Sequence, residues 1–167
     1  MTRRVALGLG ANLGDARGTV TAAIVALSDD PALVNPRASS LYRTSPVGGV
    51  DQPDFVNAVV VADTEIGPDE LLAMAMALEQ RYGRVREVHW GPRTLDVDVL
   101  ALGELESADP RIVLPHPRAH QRAFVLVPWS EVDPDAALGA WGTVAKRLED
   151  LPAVERDDVR LLDQESL

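Results

Sequence analysis

The alternation of two sequence periods constrains this chain more than any other feature. Strand-like stretches are expected over Arg4 to Gly10, Val34 to Tyr42, Phe55 to Ala62 and Thr94 to Leu102, the third carrying the run Val59-Val60-Val61. Two segments instead repeat at the helical period. The first follows Asp15, an N-cap candidate, and places Val20, Ala23, Ile24 and Leu27 on one face before Asp30-Pro31 ends it. The second opens at Gly67-Pro68, aligns Leu71, Ala75, Leu78 and Tyr82, and meets Gly83, well placed as the stop. The order β-α-β-β-α-β predicts an α+β chain of the ferredoxin-like, split βαβ type, a mainly antiparallel sheet with helices on one face.

Two connections are too long for tight turns. Thr44 to Asp54 contains prolines and Gly48-Gly49, and Arg84 to Arg93 carries four charged side chains, His89 and Trp90. Loops of this length inside a small domain are usually working parts. Beyond the fourth strand come a turn-rich stretch from Gly103 to Pro117, a short apolar run from Phe124 to Trp129 and a weaker helix near Trp141 to Leu151. The highly charged tail from Pro152 is expected to pack loosely.

Length and composition narrow the class. The 167 residues suit one domain with one substantial core, and 46% hydrophobic with 25% charged residues is globular composition. No apolar run reaches membrane length, and the short, glycine-rich stretch after Arg3-Arg4 does not read as a signal peptide, so a cytoplasmic protein is expected. The absence of cysteine removes disulfides, thiolate metal sites and cysteine nucleophiles. A net charge of −10 argues against a general nucleic-acid binder. Positive charge is nevertheless concentrated: Arg81, Arg84, Arg86 and Arg93 fall close together, Arg111, Arg118 and Arg122 follow, and Lys146 is the one lysine. Arginine suits bidentate phosphate contacts. A general preference for arginine explains the composition equally well, so position must decide.

The sharpest local signal is Asp96-Val97-Asp98. On a strand, residues i and i+2 share a face about 6.6 Å apart, so both carboxylates point one way while Leu95, Val97 and Val99 face the core. Such a pair can hold one or two hard cations in phosphoryl chemistry. Alone, it is more often a solvated face. Its neighbours favour the first reading: Arg84, Arg86 and Arg93 stand in the preceding connection, where they either neutralise the carboxylates or grip phosphates. Trp90, between glycine, proline and a long loop, fits a lid over a flat ligand better than a core aromatic. His116, held between Pro115 and Pro117, is suited to donate to a phosphate oxygen. Gly8 to Gly14 fails the dinucleotide pattern because the third glycine comes one position late, and reads instead as a turn tied by Asn12. No P-loop is present in the sequence, so a nucleotide would be held by arginines and metal ions.

Taken together, GLGANLG from Gly8, YRT from Tyr42 followed by Pro46, DQPDFVNA from Asp51, GRVR from Gly83, WGPRTLDVD from Trp90 and PHPRAHQRAFVLVP from Pro115 resemble the 6-hydroxymethyl-7,8-dihydropterin pyrophosphokinases of folate biosynthesis. The resemblance spans roughly Val5 to Pro134 and leaves the tail aside. It implies a ferredoxin-like sandwich, ATP as cosubstrate, two Mg2+ ions, and transfer of pyrophosphate to the pterin hydroxymethyl group with release of AMP. Carried over by position, Asp96 and Asp98 are metal ligands, and Arg84 and Arg93 stabilise developing phosphate charge. Glu79, Arg86, Arg111, His116 and Arg122 join them around ATP. Phe55 and Phe124 sandwich the pterin, Thr44, Ser45, Val47, Asn57 and Asp96 meet its edge, and Trp90 seals it. His89 departs from the arginine of many relatives, Ser45 from a proline of some, and the loop from Arg84 is a residue shorter than in some. A monomer without membrane or nucleic-acid partners is expected. Two other activities fit the fold class: a metal-dependent phosphohydrolase, which has no need of Phe55, Asn57 and Phe124, and a non-catalytic nucleotide or pterin sensor, which has no need of Asp96, Asp98 and Arg93.

Overall fold

In the computed structural model, residues 1–46, 51–82 and 95–162 are described. Six strands and five α-helices lie among them: β1 (Arg3–Ala11), α1 (Ala16–Asp29), β2 (Val34–Ala38), β3 (Tyr42–Thr44), β4 (Phe55–Thr64), α2 (Pro68–Tyr82), β5 (Asp96–Leu102), α3 (Ala123–Val132), α4 (Val144–Asp150), α5 (Ala153–Asp157) and β6 (Arg160–Leu161). The sheet runs β5-β1-β4-β3-β6, with β2 also on β4, and every pairing is antiparallel. The β-α-β-β-α-β core therefore has the strand order of the ferredoxin-like sandwich, each helical crossover skipping one strand.

Period-two alternation divides the core between the two faces of the sheet. Val5, Leu7 and Leu9 of β1, Val60 of β4 and Val97 and Val99 of β5 pack with Val20, Ala23 and Leu27 of α1 and Leu71, Ala75 and Leu78 of α2. The opposite face carries Ala6, Val59, Val61, Leu100 and Ala101 against Leu126 and Trp129 of α3 and Val144 of α4. Helices thus cover both faces, not one. The apolar run near Phe124 is helix α3, with Leu126 and Trp129 completely buried and Pro128 inside it. A helix pressed between a sheet and another helix has little polar face to display, which is why its period is hard to read.

Other boundaries shift for local reasons. The stretch expected as one strand from Val34 divides into β2 and β3, both on the β4 edge away from β1. At the break the Ser39 hydroxyl accepts from Val59 N–H (2.9 Å), and Ser40 donates its N–H (3.1 Å) and hydroxyl (3.0 Å) to the Glu131 carboxylate. Serine side chains there compete with ladder pairing. Asp15 caps α1 as expected, accepting from Gly18 N–H at 3.0 Å. The tail does not pack loosely over residues 153–162: β6 pairs with β3, and Leu162 N–H donates to Leu41 C=O at 2.9 Å. The expected stop at Gly83 lies outside the described residues.

Candidate active site

The face of the sheet under α3 is where small and polar residues replace the core. Along β1, Ala6 gives way to Gly8 and Gly10, which pair across β5 with Asp98 and Asp96 and across β4 with Val59 and Asn57. β5 carries a register irregularity opposite Ala6 and Leu7, with Leu100 as its extra residue. Leu100 and Ala101 both turn to α3 as a result, while Asp96 and Asp98 keep the same face. A bulge of this kind re-aims side chains without breaking the sheet.

This surface is the floor of a cavity of about 620 Å³, a volume suited to a small organic ligand. Its lining contains Thr44, Ser45, Phe55, Asn57, Asp96, Asp98, Arg122 and Phe124, eight of the sequence-derived site residues brought together from β3, β4, β5 and the start of α3. The glycines matter by what they leave out. A Cβ at Gly10 would stand 3.0 Å from Asn57 Oδ1, and one at Gly8 would touch Leu100 at 3.4 Å. Gly8 and Gly10 are strand residues, not the expected turn; the turn glycine is Gly14, at φ +57°. Nor does Asn12 tie its own backbone: its side chain donates to Gln52 Oε1 (2.9 Å) and Pro53 C=O (3.2 Å), holding the far loop against the end of β1.

Polar groups in the cavity have defined directions. Asn57 is buried and donates through Nδ2 to Thr44 Oγ1 at 2.8 Å, which leaves its Oδ1 as an acceptor over Gly10. The Arg122 guanidinium lies 5.5 Å from the Phe124 ring centroid, a cation-π contact that places positive charge beside the aromatic wall. Glu79 is not in the cavity lining. From α2 it accepts Val97 N–H at 3.0 Å, between the two aspartates, on the edge of β5 away from β1. It therefore steadies the backbone that aims the carboxylates.

His116 also stands outside the lining, anchored by its N–H to Leu100 C=O at 2.8 Å. Its Nδ1 accepts Arg118 N–H at 3.1 Å, so the neutral ring carries its proton on Nε2. Burial lowers the His116 pKa below 6.5; the nearby Asp98 charge opposes this, and Arg122 and Arg118 reinforce it. Arg111 is placed elsewhere, paired with Asp109 at 2.8 Å and with Asp69 of α2 at 3.3 Å. The same guanidinium holds the Asp109 carboxyl below its usual range. Arg84, Arg86, Trp90, Arg93 and Val47 lie outside the described residues.

Gly8, Gly10, Gln52, Gln121, Glu155 and Asp158 also line the cavity, and none of them is among the site residues expected from the sequence. The glycines had a signal, since they share the i, i+2 spacing that singled out the aspartates. Asp158 had none, because only long-range pairing of the tail with β3 brings it to the site.

As a metal site, the Asp96 and Asp98 pair is incomplete by itself. Among the described residues no group of three or more histidine or carboxylate side chains is arranged to hold an ion. That donor set fits Mg2+ entering with a polyphosphate, because Mg2+ characteristically takes one or two protein carboxylates and fills its remaining positions with phosphate oxygens and water.

A family model described as 7,8-dihydro-6-hydroxymethylpterin-pyrophosphokinase (HPPK) matches residues 6–134. The 2-amino-4-hydroxy-6-hydroxymethyldihydropteridine pyrophosphokinase of Methylorubrum extorquens is 45% identical over 136 residues, covering 81% of this chain and 86% of that one. The enzyme of the same name from Mycobacterium tuberculosis is 43% identical over 171 residues, covering 95% and 89%. A crystal structure of an HPPK-DHPS in complex with substrates shares the fold, with a TM-score of 0.66 at 12% identity over 89% of this chain; the match spans 43% of that longer chain. A family match over residues 6–134, with relatives 43–45% identical over most of both chains, shows that the chain belongs to the 7,8-dihydro-6-hydroxymethylpterin-pyrophosphokinase family.

Proposed function

We propose that the α3-side cavity is where this chain performs the reaction of its family, with Asp96 and Asp98 as metal ligands and Phe55 and Phe124 as the walls of the acceptor site. The chain transfers pyrophosphate from ATP to 6-hydroxymethyl-7,8-dihydropterin in folate biosynthesis. The hydroxymethyl oxygen forms a bond to the β-phosphorus, the bond from that phosphorus to the oxygen bridging it to the α-phosphorus breaks, AMP departs, and the hydroxyl proton is released. One observation carries the assignment of the site: two carboxylates on β5 and two aromatic rings, Phe55 and Phe124, converge on one cavity whose floor is left open along β1 by Gly8 and Gly10.

Each part has a task that its chemistry suits. Phe55 and Phe124 offer faces to a planar heterocycle, and Asn57, Thr44 and Ser45 meet its polar edge. Gly8 and Gly10 let the ligand approach the sheet backbone closely. Asp96 and Asp98 hold the metal, which we infer to be two Mg2+ ions, and Glu79 keeps their strand in place. When bound, Mg2+ neutralises triphosphate charge and polarises phosphoryl oxygens. Arg122 and His116 supply donors on the phosphate side, His116 through Nε2–H. Arg84, Arg86 and Arg93 are assigned to phosphate charge, Trp90 and Val47 to the pterin, and Arg111 to ATP after release from Asp109, all by their family positions.

Residues 1–167 are inferred to act as one domain and as a cytoplasmic monomer. Among the described residues no helix is long and apolar enough to cross a membrane. Substituting Asp96→Ala or Asp98→Ala is expected to reduce turnover by roughly a hundredfold or more, in line with losing a principal source of charge stabilisation. The melting midpoint should stay within about 5 °C, because neither aspartate fills the core. Chelation of Mg2+ should abolish wild-type turnover and Mg2+ addition restore it. Full activity in EDTA, or unfolding of both variants, would contradict these roles.

A further inference from the structure

The family match ends at residue 134, yet the cavity wall does not. Glu155 of α5 and Asp158 and Val159 just after it complete the lining beside Ser45. We propose that Asp158 is a positioning residue for the acceptor substrate, setting Ser45 Oγ as a hydrogen-bond acceptor toward an N–H-bearing edge of the heterocycle; this rests on the assignment of Ser45 to the pterin made above.

The contacts are specific. Asp158 Oδ2 accepts Ser45 N–H at 3.1 Å, and Asp158 Oδ1 accepts the Ser45 hydroxyl at 2.8 Å. Both oxygens of one carboxylate are therefore engaged by one serine. An ionised carboxylate can only accept, so the hydroxyl proton is committed to Asp158 and the lone pairs of Ser45 Oγ are left for the ligand. Buried Asn57, with Nδ2 given to Thr44, presents an acceptor by the same logic. Two fixed acceptors match a ligand edge with two donors and disfavour one that presents lone pairs.

The rest of the tail holds Asp158 in place. β6 pairs with β3 through Tyr42 with Leu161 and Arg43 with Arg160. The Arg160 guanidinium reaches Asp54 at 3.6 Å, next to Phe55, and Asp158 itself at 4.0 Å. The tail thus bridges both segments that flank the acceptor side of the cavity, the end of β3 and the start of β4. A loose surface tail has no reason to make such contacts.

The test uses the full chain, wild type and with Asp158→Asn, Ser45→Ala or both, and measures KM for 6-hydroxymethyl-7,8-dihydropterin and for Mg-ATP, equilibrium pterin binding, and the melting midpoint. Asparagine keeps the shape of Asp158 but brings a donor. Turned either way, its amide faces Ser45 N–H or drives the hydroxyl proton toward the ligand. Asp158→Asn is expected to raise the pterin KM and dissociation constant about tenfold, the scale of one misdirected hydrogen bond. The Mg-ATP KM should stay within about twofold, and Ser45→Ala should weaken pterin binding comparably. The double variant should be no worse than the poorer single by more than about twofold, because both changes remove one interaction. A pterin KM within twofold of wild type in either single variant, multiplicative losses in the double, or parallel loss of both substrates' affinities with a falling midpoint would overturn the proposal. Should the wild type bind pterin without turning it over, the reading of the reaction fails, and the same four dissociation constants still decide the role of Asp158.

Discussion

Asp96 and Asp98 share a direction because strand parity gives them one, but it is Gly8 and Gly10 on the neighbouring strand that keep the space before them open. A methyl group at residue 10 would press on Asn57 Oδ1 at 3.0 Å, and Asn57 is already fixed by Thr44. Gly10→Ala is therefore expected to raise the pterin KM roughly tenfold while costing about 1–2 kcal/mol of stability, the usual scale of overpacking. Steady-state kinetics and urea denaturation would show both, and unchanged pterin affinity would remove Gly10 from the floor. The carboxylates were legible in the sequence because their spacing needs only one strand to be interpreted. The glycines carried the same spacing but also looked like turn residues, and Gly14 does make the turn. Asp158 was illegible for a different reason: its meaning depends on a strand pairing across more than a hundred residues.

Among the elements, α3 does most to turn a sheet face into a site. It places Phe124 at the cavity, seals the adjoining core with Leu126 and Trp129, and reaches β3 through Glu131. The Tyr42 hydroxyl donates to that carboxylate, and burial, followed by the bond and the charge of Glu131, pushes the phenol pKa well above its ordinary value. Tyr42 stays a neutral donor throughout the physiological range. Tyr42→Phe should therefore cost about 1 kcal/mol in urea denaturation, a modest figure because Glu131 is itself exposed, and leave the Mg-ATP KM within about twofold. Loss of less than about 0.3 kcal/mol would show that the tie does not hold α3. The first two helices and the strand order were readable because caps and apolar stripes agreed with one another. By contrast, α3 is apolar on nearly every side and contains Pro128, so neither its period nor its composition announced a helix.

At the scale of the whole molecule, a chain with net charge −10 that brought a polyphosphate to a pair of carboxylates, as proposed for Asp96 and Asp98, would meet unfavourable electrostatics unless cations intervened. Mg2+ and arginine fill that role in the proposed chemistry. The two helix-covered faces divide labour: one is a continuous core under α1 and α2, while the other interrupts its core beside α3 to admit ligands. The transferred unit is pyrophosphoryl, and the pterin hydroxymethyl group receives it. 31P NMR of a reaction containing the purified chain, Mg-ATP and 6-hydroxymethyl-7,8-dihydropterin tests this most directly. AMP and pterin diphosphate are expected in equal amounts, with no turnover when the pterin is omitted; ADP with inorganic phosphate, or AMP formed without pterin diphosphate, would rule out pyrophosphoryl transfer to the pterin.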